Sequence, residues 1–390
     1  MHILALSESD PCSTGEAQVS RGNCHQSFSE TNLSSSIDHA FAINGRFFSQ
    51  SVTGVQRYAR EIVSQIDGLL HETGARAQLL LPPAVTTTPV LTSIEPRRLG
   101  NVSGHLWEQI ALPARVHVPL LNLCNTGPLS ESRQIVCMHD TNVFDAAGSY
   151  NPAFRALYRL LLPGLVRRAA VITSVSHFSA RKLAQRLGLA PQSIAIMYNG
   201  HEHVFRWNAA ASSLAERLSG IRPFVLLLGS RARHKNAEFI LRQAETLDAM
   251  GVDLVVAGGS AAIFAGTELV DARNIHRLGF VKDDDLAWLY THALCLAFPS
   301  RSEGFGLPLV EAMTLGCPVI ASNQSCIPEI CADAALLADP DDAPAWQAHF
   351  RNLIASPQLR ADLRGRGLER ARVFSWHDSA QAYLDLLSRM

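Results

Sequence analysis

ALCLAFPSRSEGFGLPLVEAMTLG, residues Ala293 to Gly316, runs from an apolar segment through a glycine loop into a helix start. Ala293 to Phe298 are continuously apolar and are closed by Pro299, as expected of a strand buried on both faces of a parallel sheet. Pro308 suits a first helical position and Gly316 the residue past the last. A helix is therefore expected from about Pro308 to Leu315, with Glu303 in the loop and Glu311 in the first turn. The amides of Phe305, Gly306 and Leu307 would then sit at a helix N-terminus beyond a strand's carboxyl end, which suits a phosphate. A carboxylate at Glu311 repels phosphate but can accept from the paired hydroxyls of a ribose, and Glu303 can do the same for a second sugar. Taken singly, Glu311 is better explained by the helix dipole and Glu303 as a solvated loop acid. Two acids with seven residues between them around a glycine loop suggest instead a nucleotide-sugar seat.

The whole string resembles the E-x7-E signature of retaining glycosyltransferases of family 4, which have the GT-B fold. The resemblance implies that Glu303 contacts the donor sugar and Glu311 the nucleotide ribose. It also implies an α/β architecture of two doubly wound, Rossmann-like domains facing a central cleft. Alternation of strands and helices through both halves points the same way. The expected boundaries are a flexible N-terminal extension over 1–39, an acceptor-side domain over 40–200, a nucleotide-sugar-binding domain over 201–375, and a terminal helix over 376–390 that crosses back onto the first domain.

Length and composition agree with two domains. The chain has 390 residues, 47% of them hydrophobic and 18% charged, which provides ample core for a globular protein. With 34 basic and 35 acidic residues the net charge is -1, so nucleic acid is not an expected partner. The eight cysteines contain no C-x-x-C pair and read as reduced core residues of a cytosolic protein. The first ten residues lack the basic and apolar regions of a signal peptide. No run reaches the roughly 18 apolar residues of a spanning helix, so membrane contact would be peripheral. Glu8 to Asp38 are polar and poor in large apolar groups, hence the expected flexibility.

In chain order, Ala40 to Ile43 read as a first strand, and Val55, Tyr58, Ala59, Ile62, Val63 and Ile66 fall at helical spacing. Gly54 thus opens a helix, either as a plain start or as a close approach to phosphate. The string TGVQRYARE is similar to the first loop of family-4 enzymes, in which this glycine faces the donor phosphates. Pro82 to Pro96 read as a loop. Gln134 to Met138 form an expected strand ending at His139 and Asp140, where a histidine points into the ligand crevice of an open sheet. His139 is either a structural histidine or, as the family resemblance implies, part of the reaction centre, donating to a sugar hydroxyl or touching the acceptor. Asp140 either orients that ring or caps the next segment.

Pro152 to Ala170 read as an amphipathic basic helix, kinked or split at Pro163 and Gly164, which is either core-facing or laid on an anionic bilayer surface. Tyr198 to Gly200 mark a hinge, and Ala209 to Gly220 carry a weak helical signal. Phe224 to Leu228 form a strand followed by GSRARHKN and a helix from Asn236 through Leu247. Cations crowded there call for an anion, and Arg231 with Lys235 can hold a diphosphate through charge-assisted bonds of about 1.5–3 kcal/mol each. The family resemblance implies the same pair, and it implies base contact near Val281. Gly258 and Gly259 lack dinucleotide-fingerprint spacing. Asp283 to Asp285 contain a literal D-x-D but precede a helix, where capping explains them, so no metal or other cofactor is expected.

The expectation is a hexosyltransferase of polysaccharide biosynthesis, taking a sugar from a nucleotide donor, GDP-mannose or a UDP-sugar, to a saccharide or lipid-linked hydroxyl. The TGVQRYARE variant leans toward mannose. A GT-B nucleotide-sugar epimerase and a non-catalytic sugar-nucleotide-binding protein are the alternatives.

Overall fold

Short apolar runs separated by helices build two all-parallel sheets in the computed structural model, which describes residues 39–145, 152–229, 232–258 and 272–390. The expectation for the first 38 residues lies outside that range. The first sheet comprises β1 (Ala42–Asn44), β2 (Ala77–Leu81), β3 (Ile94–Arg98), β4 (Leu120–Asn122), β5 (Gln134–Cys137), β6 (Val171–Ser174) and β7 (Ile194–Ile196). Its spatial order is β3-β2-β1-β4-β5-β6-β7. The second comprises β8 (Phe224–Leu228), β9 (Asp253–Ala257), β10 (Ile275–Gly279), β11 (Cys295–Phe298), β12 (Val319–Ser322) and β13 (Leu336–Ala338), in the order β10-β9-β8-β11-β12-β13. The order reverses between β1 and β4 and between β8 and β11, and ligands of doubly wound sheets bind beyond the strand ends at such switch points.

The helices that position the site are α1 (Gly54–Thr73), α2 (Pro152–Arg168), α3 (His177–Leu187), α4 (Asp283–His292), α5 (Leu307–Thr314) and α6 (Trp376–Leu387). Several differ from expectation for local reasons. β3 begins inside the stretch read as a loop and runs past its end; IEPRR has no apolar run, and an edge strand tolerates Pro96. α2 runs through Pro163 unbroken, with Tyr158, Leu162 and Leu165 buried in the core and Leu160 exposed. The weak signal over Ala209 to Gly220 yields only two short turns, Ala209–Ala211 and Leu214–Arg217. The helix expected from Asn236 is split into Ala237–Leu241 and Ala244–Ala249, with Asn236 itself left-handed at φ 54°. α5 starts at Leu307, so Glu311 falls in its second turn and not its first.

Asp38–Met390 form one compact unit. The terminal helix ties it together, because α6 returns to α1: the Tyr383 hydroxyl lies 2.8 Å from that of Tyr58 and 2.9 Å from Thr173 Oγ1. The start of α6 is capped from the hinge. Trp376 N and Ser375 Oγ donate to Glu202 at 2.9 and 2.7 Å, and a side chain at Gly200 would collide with the Trp376 backbone. Partial burial opposes the Glu202 charge, but the Trp376 amide and Ser375 hydroxyl prevail and hold its pKa below the ordinary carboxylate range. A depressed folded-state pKa contributes stability that is present above the unfolded value and fades as pH falls through the folded one. Glu202→Gln is therefore expected to lower the melting temperature at neutral pH. Melting curves should converge with those of the parent below the carboxylate range; an unchanged gap at acid pH would remove the charge from the account.

Candidate functional site

Because β8 and β11 are neighbours at the second switch point, the loops that leave them are forced together. Lys235, on the loop after β8, and Glu303, on the loop after β11, meet as a two-pronged ion pair, with Lys235 Nζ 2.7 Å from each carboxylate oxygen. Glu303 is only 8% exposed, so the pairing offsets the cost of burying its charge. This revises the picture of crowded cations. Lys235 is matched by Glu303, Arg233 is exposed, and burial followed by the Lys235 charge pushes His234 down toward the neutral form. Arg231 lies outside the described residues.

Beyond Glu303 the chain turns sharply. Gly306 has φ 87°, a conformation glycine adopts without strain, and no side chain caps the start of α5. Phe305, Gly306 and Leu307 all line the cavity, at a helix start with no side-chain cap among the described residues. Glu311, 5% exposed, accepts from His203 Nε2 at 3.1 Å and from the Tyr290 hydroxyl at 3.2 Å.

The first domain supplies the opposite wall. Gly54 begins α1 with open space where a Cβ would stand. Arg57, one turn on, reaches across to Asp283 at 2.6 and 3.0 Å. His139 is buried, and its Nε2 lies 2.8 Å from the Leu123 carbonyl, so that nitrogen carries the proton and points into the protein. Nδ1 is therefore the nitrogen left to face a sugar hydroxyl or the acceptor. Asp140 accepts from Asn142 N at 2.8 Å, which makes it a cap, and burial pushes its pKa up. The two domains touch at Gly304, whose carbonyl accepts from Ser176 Oγ at 2.6 Å and Ser179 Oγ at 3.0 Å. Across the same seam Glu329 accepts from the first amides of α3, His177 N at 2.8 Å and Phe178 N at 2.9 Å.

A cavity of about 440 Å³ lies between these walls and is lined by Gly54, His139, Lys235, Glu303, Phe305, Gly306, Leu307 and Glu311 together. Val281 does not line it and packs against the core. Arg57, Asn142 and Asn199 line it as well and carried no ligand role in the sequence reading. Arg57 was legible in principle, three residues after Gly54 and so on the same helical face. Asn199, taken as a hinge residue, is 4% exposed and its Oδ1 has no hydrogen-bond partner among the described residues, the condition of an acceptor that awaits a ligand hydroxyl. The D-x-D acids are committed elsewhere: Asp283 to Arg57, Asp284 to Asn208 N at 2.7 Å, and Asp285 to Ser212 Oγ at 2.6 Å. Among the described residues no group of three or more His, Cys, Asp or Glu is arranged to hold a metal, and no helix is long and apolar enough to cross a membrane.

Two doubly wound domains whose switch points face each other across a polar cavity make the GT-B fold, and the second of them matches a glycosyltransferase family. Residues 215–370 form a domain of the family described as Glycosyl transferases group 1. The chain is similar to O-antigen chain mannosyltransferase B of Escherichia coli, at 29% identity over 263 residues, 63% of this chain and 68% of that protein. It is also similar to O-antigen chain mannosyltransferase RfbU of Salmonella typhimurium, at 27% identity, covering 60% of this chain and 64% of the relative. The chain thus spans about two thirds of each relative's length. Among solved structures, a sucrose-phosphate synthase from Thermosynechococcus elongatus superposes with a TM-score of 0.68 at 18% identity, over 90% of this chain and 99% of its own, a likeness of fold.

Proposed function

We propose that this protein transfers a hexose, with mannose from GDP-mannose favoured over a UDP-sugar, to a hydroxyl of a polysaccharide or lipid-linked oligosaccharide, with retention at the anomeric carbon. The observation that carries the reading is the convergence on one cavity of the Lys235–Glu303 pair, Glu311 and the uncapped start of α5. Likeness to the two O-antigen mannosyltransferases supports the choice of sugar. Breaking the glycosidic bond places positive charge on the sugar and negative charge on the departing diphosphate. The chemical demand is therefore electrostatic, and preorganised donors meet it best. Lys235 and the Phe305 to Leu307 amides would take the diphosphate charge, joined by Arg231. Glu303, oriented by Lys235, would hold sugar hydroxyls, and Glu311 the ribose. His139 and Asn199 would face the sugar or the incoming hydroxyl from the other wall. On retention, the incoming hydroxyl attacks the face the diphosphate leaves, and the departing phosphate takes its proton.

The test is incubation with GDP-mannose and UDP-hexoses plus a hydroxyl acceptor, reading released nucleotide, product mass and anomeric configuration. A sugar-extended acceptor with retained configuration supports the reading. Nucleotide-sugar interconversion without acceptor, or binding without turnover, overturns it. Gly54→Ala tests the first-domain wall. The added methyl meets nothing among the described residues, so stability should hold, while donor KM rises by about tenfold as the methyl enters the phosphate space. An unchanged KM would take Gly54 out of the donor seat. The protein is proposed to act in the cytoplasm. Exposed Leu160, beside the basic residues of α2, is proposed to give peripheral contact with an anionic bilayer. Leu160→Asp should then reduce sedimentation with phosphatidylglycerol vesicles, and equal sedimentation would exclude that face.

A further inference from the structure

The Glu311 carboxylate is held from two sides, and the proton on one of its partners is dictated from a third. Trp376 Nε1 lies 3.0 Å from His203 Nδ1. An indole N–H can only donate, so Nδ1 accepts and the imidazole proton sits on Nε2, which faces Glu311 Oε1 at 3.1 Å. His203 has no exposed side-chain surface and is boxed edge-on by Trp207 and Trp376, at centroid distances of 5.3 and 5.8 Å, so the ring is not free to turn. On the other oxygen, burial and then the Glu311 charge push the Tyr290 hydroxyl well above its ordinary pKa and keep it a donor. Each carboxylate oxygen therefore has one fixed donor and retains acceptor capacity for a ligand.

We propose that His203, with its tautomer set by Trp376, is a positioning residue that presents Glu311 to the ribose diol of the donor, so that the nucleotide seat depends on docking of the terminal helix. The inference rests on the reading of Glu311 as the ribose ligand. Trp376 opens α6, and its ring also meets Tyr58 of α1 edge-on at 5.6 Å. One chain of contacts thus runs from the first domain through the terminal helix to the carboxylate in the second. Such a chain matters to binding more than to the bond-breaking step, since the ribose contact is the same in ground and transition states.

The test is equilibrium binding of GDP and UDP, each beside its 2′,3′-dideoxy counterpart, to the parent protein and to Trp376→Phe, His203→Leu and His203→Gln. Trp376→Phe keeps an aromatic ring and deletes the donor, His203→Leu deletes the relay, and His203→Gln restores an N–H toward Glu311. The parent is expected to prefer the ribonucleotide by about tenfold or more. That preference should vanish in His203→Leu, shrink in Trp376→Phe and largely survive in His203→Gln, with dideoxy affinity unchanged throughout. In turnover, donor KM should rise while kcat changes little. Full ribose preference in both Trp376→Phe and His203→Leu overturns the positioning role and leaves the ribose seat standing. Equal binding of ribo- and dideoxynucleotide by the parent overturns the ribose seat, and the role of His203 with it. If His203→Leu does not fold, Trp376→Phe and His203→Gln decide the matter.

Discussion

Lys235→Ala is expected to lower kcat/KM by about 10²–10³-fold, the usual loss when one preorganised electrostatic donor is removed from a reaction centre. Two effects combine. The ammonium group proposed to neutralise the leaving diphosphate disappears, and Glu303 loses both contacts that fix it, each of 2.7 Å. Glu303 is then a buried carboxylate without its counter-ion, and such a group lowers its cost by taking up a proton or swinging toward water. Either response removes the acceptor proposed to hold the sugar. Steady-state kinetics with the donor that the incubation identifies, together with nucleoside diphosphate affinity, measure the two losses. Turnover within about threefold of the parent, on the scale of a peripheral contact, would remove Lys235 from the phosphate site. Arginine at 235 should not restore activity, because its planar fork is not a substitute for a compact ammonium on a flexible stem.

Gly304→Ala should do comparable damage by a steric route. A Cβ at this position would stand well inside van der Waals contact of the His139 carbonyl and close to the Asp140 side chain. The obstacle is backbone on the opposite domain and cannot rotate away. The added methyl therefore wedges the seam open, loosening the Ser176 and Ser179 bonds to the Gly304 carbonyl and moving Glu303 away from the first-domain wall. Overpacking of this kind costs about 1–3 kcal/mol, so melting should fall by several degrees. Activity should fall further, by about 10²-fold, because misplacement of about 1 Å is enough for that loss. Scattering or hydrogen exchange would show a more open cleft in the variant. Normal activity with a parent-like melting curve would mean that the two loops do not meet during turnover.

The elements that carry the site were legible where local signals are strong. The apolar run closed by Pro299, the glycine loop and Pro308 placed β11 and α5 to within a residue or two, because burial pattern and Gly/Pro stereochemistry act over a few residues. The same signals located α1 after Gly54 and α6 from Trp376. β3 was missed because an edge strand has no need of an apolar run, and its Pro96 reads as a loop marker. The break at Arg242 and Gln243 was missed because the sequence presents one continuous helical periodicity over two short helices.

The residues themselves determined the kinds of chemistry available: two acids flanking a glycine loop, a lysine after a buried strand, a glycine at a helix start, and no excess of charge for a polyanion. Which groups answer one another was decided only by the tertiary structure. Lys235 meets Glu303 across 68 residues, His203 meets Glu311 across 108, and Tyr58 meets Tyr383 across 325. Periodicity carries no information at such separations. The partners are chosen by strand order at the two switch points and by the return of the last helix, which bring distant loops to within hydrogen-bond reach and leave each buried polar group the neighbours it must use.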